Sequence, residues 1–176
     1  MAAESFVYSV AQVRTLLAGS ASIGDALGAW VLLGRPVEES GGGWSFRTAS
    51  VESDLVQTAS GQKLLLRDDD VVMPIKKKAG DAVLRTTVLV GRSDSNDLVI
   101  PHASVSKLHA RLDLSVPSQV TVSDAGSSNG STVDAATLGA DEKRVVKSGA
   151  TVSFGKCAFC VLSTDELVRL LKSRKY

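Results

Sequence analysis

The chain has 176 residues, 44% of them hydrophobic and 22% charged, with a formal net charge of +1. Those proportions suit one globular domain, or one domain with a substantial extension, rather than a disordered chain. The near-zero charge argues against a general nucleic-acid binder, whose affinity would rest on many phosphate contacts. The charge is uneven, however: residues 1–70 carry 5 Lys/Arg against 9 Asp/Glu, and residues 71–176 carry 15 against 10. An anionic partner is therefore expected on the C-terminal part. No apolar run reaches the roughly 18–20 residues that a membrane-spanning helix needs. Glu4 stands where a secretory signal has its basic start. A cytoplasmic protein without membrane contact is the expectation.

In chain order, Phe6, Val10, Val13 and Leu17 recur at helical spacing, and Gly19 offers a stop, which predicts a helix over 6–18. A second segment opens at Ser22, a candidate N-cap with Asp25 three residues on, and runs through Leu27 and Trp30 toward Leu33. Its end, 29–33, reads equally well as a strand, and Gly34-Arg-Pro closes it. Ser40-Gly-Gly-Gly reads as a loop or linker, and Asp68-Asp-Asp as a solvated turn. A domain boundary is placed near residue 70. It would separate a partly helical N-terminal region, 1–70, from a β-domain over 71–162 and a C-terminal helix over 163–176.

From Val71 the texture changes. Short apolar runs at 71–75, 87–90, 98–100, 108–114, 120–123, 145–146, 151–154 and 158–162 are mostly punctuated by Gly, Asp, Asn, Ser or Pro. Many short strands with turn chemistry between them suggest a β-sandwich or barrel. Leu108, Ala110, Leu112 and Leu114 alternate with His109, Arg111 and Asp113, the pattern of a half-buried strand. The only cysteines, Cys157 and Cys160, fall in one such run. At i and i+3 in a strand their thiols point to opposite faces. No second Cys/His pair completes a zinc site, so two reduced, structural thiols are expected and no metal. The closing helix carries a capping-box pattern at Ser163 and Glu166 and an apolar face of Leu167, Leu170 and Leu171. Lys172, Arg174 and Lys175 suit the negative end of its dipole.

Three loops hold most of the polar residues: Gly91-Arg92 through Asp97, Pro101 through Lys107 leading into Ser106-Lys-Leu-His109, and Asp124-Ala-Gly-Ser-Ser-Asn-Gly130. The order G-R, S-x-x-H, D-x-x-S-x-N-G resembles the signature of the forkhead-associated (FHA) domain, and the resemblance covers about residues 71–162. It implies a mainly β fold: an FHA-like sandwich of short antiparallel strands, here with a mostly helical N-terminal extension and a C-terminal helix. It further implies that loops at one end grip a phosphothreonine. In that reading Arg92, Ser106, Lys107 and Ser128 face the phosphate, and Asn129 bonds the bound peptide's backbone. Gly91, His109 and Gly130 support the site. The chemistry suits these residue types. A phosphothreonine carries roughly −1.5 to −2 charge and three acceptor oxygens, and arginine offers a planar fork of donors. His102 and Ser104, beside the pocket, are expected to read neighbouring peptide positions. Ser131 departs mildly from the family's usual threonine.

The resemblance implies a phosphothreonine-dependent interaction module in Ser/Thr-kinase signalling, with no catalytic residue and no cofactor. Its partner would be a phosphorylated protein or peptide, such as a Ser/Thr protein kinase or its substrate. One alternative keeps the fold as a phosphate-independent scaffold. Another is a serine hydrolase, because Gly126-Ser-Ser128-Asn-Gly130 satisfies G-x-S-x-G. That chemistry needs a histidine later in the chain and a strand–turn–helix context, whereas His102 and His109 both lie earlier. The acidic N-terminal region is expected to be either a small interaction domain or an extension packed on the sandwich, and would be autoinhibitory if it covered Arg92.

Overall fold

The structure, a computed structural model, describes residues 7–19, 22–38, 44–47, 56–58, 61, 63–78 and 85–173. The chain opens with strand β1 (Tyr8–Ser9), helices α1 (Val10–Ala18) and α2 (Ile23–Leu27), and strand β2 (Trp30–Glu38). Short strands β3 (Trp44–Arg47), β4 (Val56–Gln57) and β5 (Lys63–Leu64) follow, then β6 (Val71–Pro74), β7 (Thr87–Gly91) and β8 (Leu98–Val99). Next come β9 (Ala110–Asp113), β10 (Val120–Asp124), β11 (Ser131–Val133), β12 (Ala136–Thr137) and β13 (Lys143–Val146). The chain closes with β14 (Thr151–Phe154), β15 (Cys157–Ser163) and helix α3 (Thr164–Ser173).

Two sheets carry the fold. One runs β1-β6-β2-β15-β14-β11-β12, with β3 also on β2; the other runs β13-β10-β9-β7-β8. Their pairings are antiparallel except β7 with β8, which is parallel. Two hydrophobic cores flank the first sheet. Val88, Val90, Leu112 and Val122 of the second sheet meet Leu32, Phe154 and Phe159 of the first between the sheets. On the outer face, Val10 and Val13 of α1, Leu27 of α2, and Leu167, Leu170 and Leu171 of α3 cover Val31, Leu33 and Leu162. The predicted apolar face of the C-terminal helix is therefore buried. The two cysteines divide as strand geometry requires: Cys157 lies in the inter-sheet core and Cys160 in the helix-covered one. Burial, with nearby Glu166 and Asp134, pushes the Cys160 thiol up to about 12, so it stays protonated and inert.

Capping chemistry sets the helix starts. Ser9 caps α1 in a full box with Gln12, and Gly19 ends that helix. The predicted start at residue 6 falls outside the described residues, and α1 begins at Val10. The Ser22 side chain accepts from the Asp25 N–H and opens α2, which stops at Leu27. At α3 the Ser163 hydroxyl accepts from the Glu166 N–H as predicted, at 3.2 Å. The return bond differs: the Ser163 N–H donates to Ser148 Oγ at 2.9 Å, and Ser148 donates to the Glu166 carboxylate. The predicted loop at 40–43 and the basic residues 174 and 175 lie outside the described residues.

Three expectations are corrected. The ambiguous 29–33 stretch is strand, and Gly34-Arg-Pro does not close it. Residues 31–34 pair with β6, residues 30–33 with β15, and the strand runs on so that 35–38 pair with β3. Pro36 thus lies beyond the doubly paired part, where its missing N–H is tolerated. The boundary near residue 70 runs through a single sheet, because β2 sits between β6 and β15. The Asp68-Asp-Asp cluster is only partly solvated. Asp68 and Asp69 form an exposed turn, but Asp70 is fully buried and takes Arg35 Nε and Nη2 at 2.8 and 3.0 Å.

Removing residues 1–65 takes away β2 and half of the outer core. The shortened chain is expected to lose its cooperative urea transition, followed by far-UV circular dichroism. A transition matching that of the full chain would show that the sandwich folds without β2.

Candidate functional site

The loops after β7, β8 and β10 meet at one end of the sandwich, built mainly from backbone bonds. β7 ends at Gly91, where a Cβ would lie 2.2 Å from the Lys107 carbonyl oxygen. No other residue fits that approach. It lets the Arg92 N–H reach the Ser106 carbonyl at 2.9 Å and the Ser93 N–H reach the Lys107 carbonyl at 3.2 Å. Asn96, 2% exposed, donates through Nδ2 to the carbonyls of Ser93 and Lys107 and closes the first loop. Asp97 accepts from the N–H groups of Lys78 and Leu89 and pairs with Lys77 at 2.9 Å, tying that loop to the segment after β6.

His109 is fully buried and joins the second loop to the third. Its Nδ1 accepts from the Ser106 N–H at 2.9 Å, so the hydrogen sits on Nε2, which donates to the Gly130 carbonyl at 3.0 Å. The ring also meets Phe154 edge-on, with centroids 5.9 Å apart. Gly130 takes φ +75°, a left-handed turn into β11. The third loop is organised by Asp124. Its Oδ1 accepts from the N–H groups of Gly126 and Ser127, and its Oδ2 from the hydroxyls of Ser127 and Ser131. Ser131, the departure from the family's usual threonine, keeps a hydroxyl there and donates it to Asp124. Burial pushes the Asp124 carboxyl up, but these bonds, led by the Ser131 and Ser127 hydroxyls, outweigh it and leave the pKa below the ordinary carboxylate value.

The side chains expected at the site fall as follows. Arg92 is exposed; its Nε donates to the Val105 carbonyl at 3.1 Å, and its two terminal nitrogens have no partner among the described residues. Ser106 is half-buried, and its Oγ accepts from the Ser128 N–H at 3.0 Å, which leaves the hydroxyl hydrogen unspent. Asn129 is exposed, with Nδ2 on the Ser104 carbonyl at 2.8 Å. Lys107 and Ser128 are exposed as well. The structure therefore joins Arg92, Ser106, Ser128 and Asn129 through the 104–106 segment. Lys107 is the next residue and contributes its carbonyl to the framework.

His102 does not lie on the surface beside the pocket. It is 7% exposed, and its Nδ1 faces Ser104 Oγ at 2.7 Å. Sequence reasoning assigned no role to Asn96, Asp97 or the carbonyls of Ser104 and Val105. The side-chain acceptor Asp124 carries a local signal, an Asp two residues before Gly126 at a strand end. The carbonyls carry none.

Taken together, the arrangement offers a guanidinium end and a hydroxyl hydrogen on a hydrogen-bonded frame, with Lys107 next in sequence, a donor set suited to an oxyanion. The elbow-like Gly126–Gly130 loop joins β10 to β11, two strands, and both ring nitrogens of His109 are bonded to backbone. Among the described residues no group of three or more His, Cys, Asp or Glu is placed to hold a metal ion, and no helix is long and apolar enough to cross a membrane.

Residues 88–155 match the family model described as the FHA domain. No curated protein matches the chain. Among solved structures, a protein studied for phosphothreonine-dependent FHA domain interactions is 16% identical with a TM-score of 0.42, covering 76% of this chain and 95% of its own. The FHA domain of the CT664 protein from Chlamydia trachomatis is 17% identical with a TM-score of 0.43, covering 76% and 97%. EmbR from Mycobacterium tuberculosis, solved with a low-affinity phosphopeptide, is 16% identical with a TM-score of 0.42, covering 86% and 29%.

The Asp124 carboxyl gives the third loop a pH dependence. Its folded pKa is depressed, so its contribution to stability is present above the unfolded value of 3.8 and is lost as pH falls through the lower folded value. The stability gap between wild type and Asp124→Asn is expected to be widest near neutral pH. It should shrink below about pH 4, as read by urea denaturation across a pH series.

Proposed function

We propose that this chain, which carries an FHA domain, is a phosphothreonine-dependent interaction module that binds a phosphorylated partner in Ser/Thr-kinase signalling. One observation carries the reading. Ser106 is held by the Arg92 N–H at its carbonyl and by the Ser128 N–H at its hydroxyl oxygen. Three loops thereby place their polar groups around one residue while the strongest donors stay unspent. With Nε committed to the Val105 carbonyl, the Arg92 fork presents its two terminal nitrogens, which suits two phosphate oxygens. The Ser106 hydroxyl supplies a third donor, and Lys107 adds a point charge. Asn129 keeps Oδ1 and its second N–H for a peptide backbone.

On this reading the partner is a protein or peptide bearing phosphothreonine, either a Ser/Thr kinase or a kinase substrate. Preference for phosphothreonine over phosphoserine is proposed from the family resemblance.

A degenerate peptide pool with a fixed central phosphothreonine should be retained by the immobilised protein, and the same pool with threonine should not. A charge-assisted hydrogen bond contributes roughly 1.5–3 kcal/mol, so Arg92→Ala is expected to weaken binding by about tenfold to a hundredfold with circular dichroism unchanged. Equal retention of both pools would overturn the reading in favour of a phosphate-independent scaffold.

A further inference from the structure

Three consecutive residues orient the side chains on which the proposed function relies. The Ser104 carbonyl accepts from Asn129 Nδ2 at 2.8 Å, and the Val105 carbonyl from Arg92 Nε at 3.1 Å. The Ser106 carbonyl and hydroxyl take the N–H groups of Arg92 and Ser128. Segment 104–106 is thus a template: where its backbone points, Arg92 and Asn129 point. His109 fixes its trailing end through the Ser106 N–H.

Its leading end is fixed by His102, a residue without a part in the family signature above. His102 Nδ1 accepts from the Ser104 N–H at 3.1 Å and lies 2.7 Å from Ser104 Oγ. A backbone N–H only donates, so Nδ1 is bare and the Ser104 hydroxyl donates to it. The Ser104 oxygen then accepts from the Lys156 N–H at 2.9 Å. The bonds run one way, from Lys156 N–H to Ser104 Oγ and from Ser104 O–H to His102 Nδ1. Lys156 lies in the turn between β14 and β15, strands of the other sheet. That turn presses close, for a Cβ on Gly155 would lie 2.4 Å from the Ser104 carbonyl oxygen. The chain of bonds therefore latches the template of one sheet to the hairpin of the other.

We propose that His102 is a positioning residue for peptide binding: through Ser104 it sets the 104–106 template and so aims Asn129 and Arg92. Its effect on affinity rests on the phosphopeptide reading of the site; its effect on Asn129 does not.

The decisive trio on the full chain is wild type, His102→Ala and His102→Asn. An asparagine Oδ1 accepts from the N–H two residues on in the same way as Nδ1. Two readouts are compared. The first is retention of the degenerate phosphothreonine pool. The second is the side-chain amide signal of Asn129 in a ¹⁵N–¹H spectrum of the free protein, assigned with Asn129→Asp. His102→Ala is expected to weaken retention about fivefold to tenfold and to shift the Asn129 amide, and His102→Asn to restore both. Ser104→Ala, which keeps the carbonyl but cuts the latch, serves if His102→Ala fails to fold and should reproduce its effects. An unmoved Asn129 amide in both variants overturns the proposal, as does wild-type retention in both. Failure of the wild type to tell the phosphorylated pool from the threonine pool instead defeats the phosphopeptide reading, and the Asn129 signal then decides on His102 alone.

Discussion

The contact between Gly91 and the Lys107 carbonyl governs the loop end of the sandwich where the site is proposed. A β-carbon on residue 91 would stand 2.2 Å from that oxygen, so any side chain there drives the first loop away from the second. Without the approach, the Arg92 and Ser93 N–H groups lose the carbonyls of Ser106 and Lys107, and Asn96 can no longer span Ser93 and Lys107. Arg92 would then project from a free strand end, unconnected to Ser106. The conformational permissiveness of glycine matters less here than its lack of volume.

The same end depends on how the two sheets are held. The central strands β6, β2 and β15 of the first sheet are buried on both faces, by the second sheet on one side and by α1, α2 and α3 on the other. That fixes β15, and with it the Gly155-Lys156 turn that meets Ser104. The helices touch none of the binding side chains, yet they set the platform against which the loops are registered. Two N-terminal acidic residues, Asp68 and Asp70, belong to this platform. Among the described residues Asp68 pairs with Arg14 and Asp70 with Arg35, so their charge is spent on packing the extension rather than on Arg92.

Legibility in the sequence followed burial. Strands with one solvated face, such as β9 and β10, alternate in polarity and were readable. β2 was ambiguous for a physical reason. Trp30 and Leu32 enter one core and Val31 and Leu33 the other, so the run is continuously apolar and shows neither period. β15 is buried on both faces too, but its β-branched and aromatic content and flanking Gly155 favoured a strand. The two- and four-residue strands β1, β3, β4, β5 and β12 gave no pattern long enough to read. At the site, the side chains proposed to face a ligand were legible through the resemblance of the three polar loops to the FHA signature. The groups that aim them were not, since they are backbone carbonyls of Ser104 and Val105, and every residue has one.

That division explains why His102 was expected from its sequence to read neighbouring peptide positions, whereas the structure buries it. A histidine in a loop next to the proposed phosphate-facing residues invites a ligand-facing role. The geometry makes it the acceptor for the Ser104 N–H and hydroxyl instead. The arrangement has an energetic logic. Ordering a loop at the moment of binding subtracts from affinity, whereas ordering it during folding does not. Asn129 and Arg92 each have one donor bonded to the 104–106 backbone in the unbound chain. Each also retains further hydrogen-bonding groups, so a peptide bound as proposed would leave these bonds intact. The site is thus set by hydrogen bonds that folding completes, and the latch through His102, Ser104 and Lys156 extends that preorganisation across both sheets.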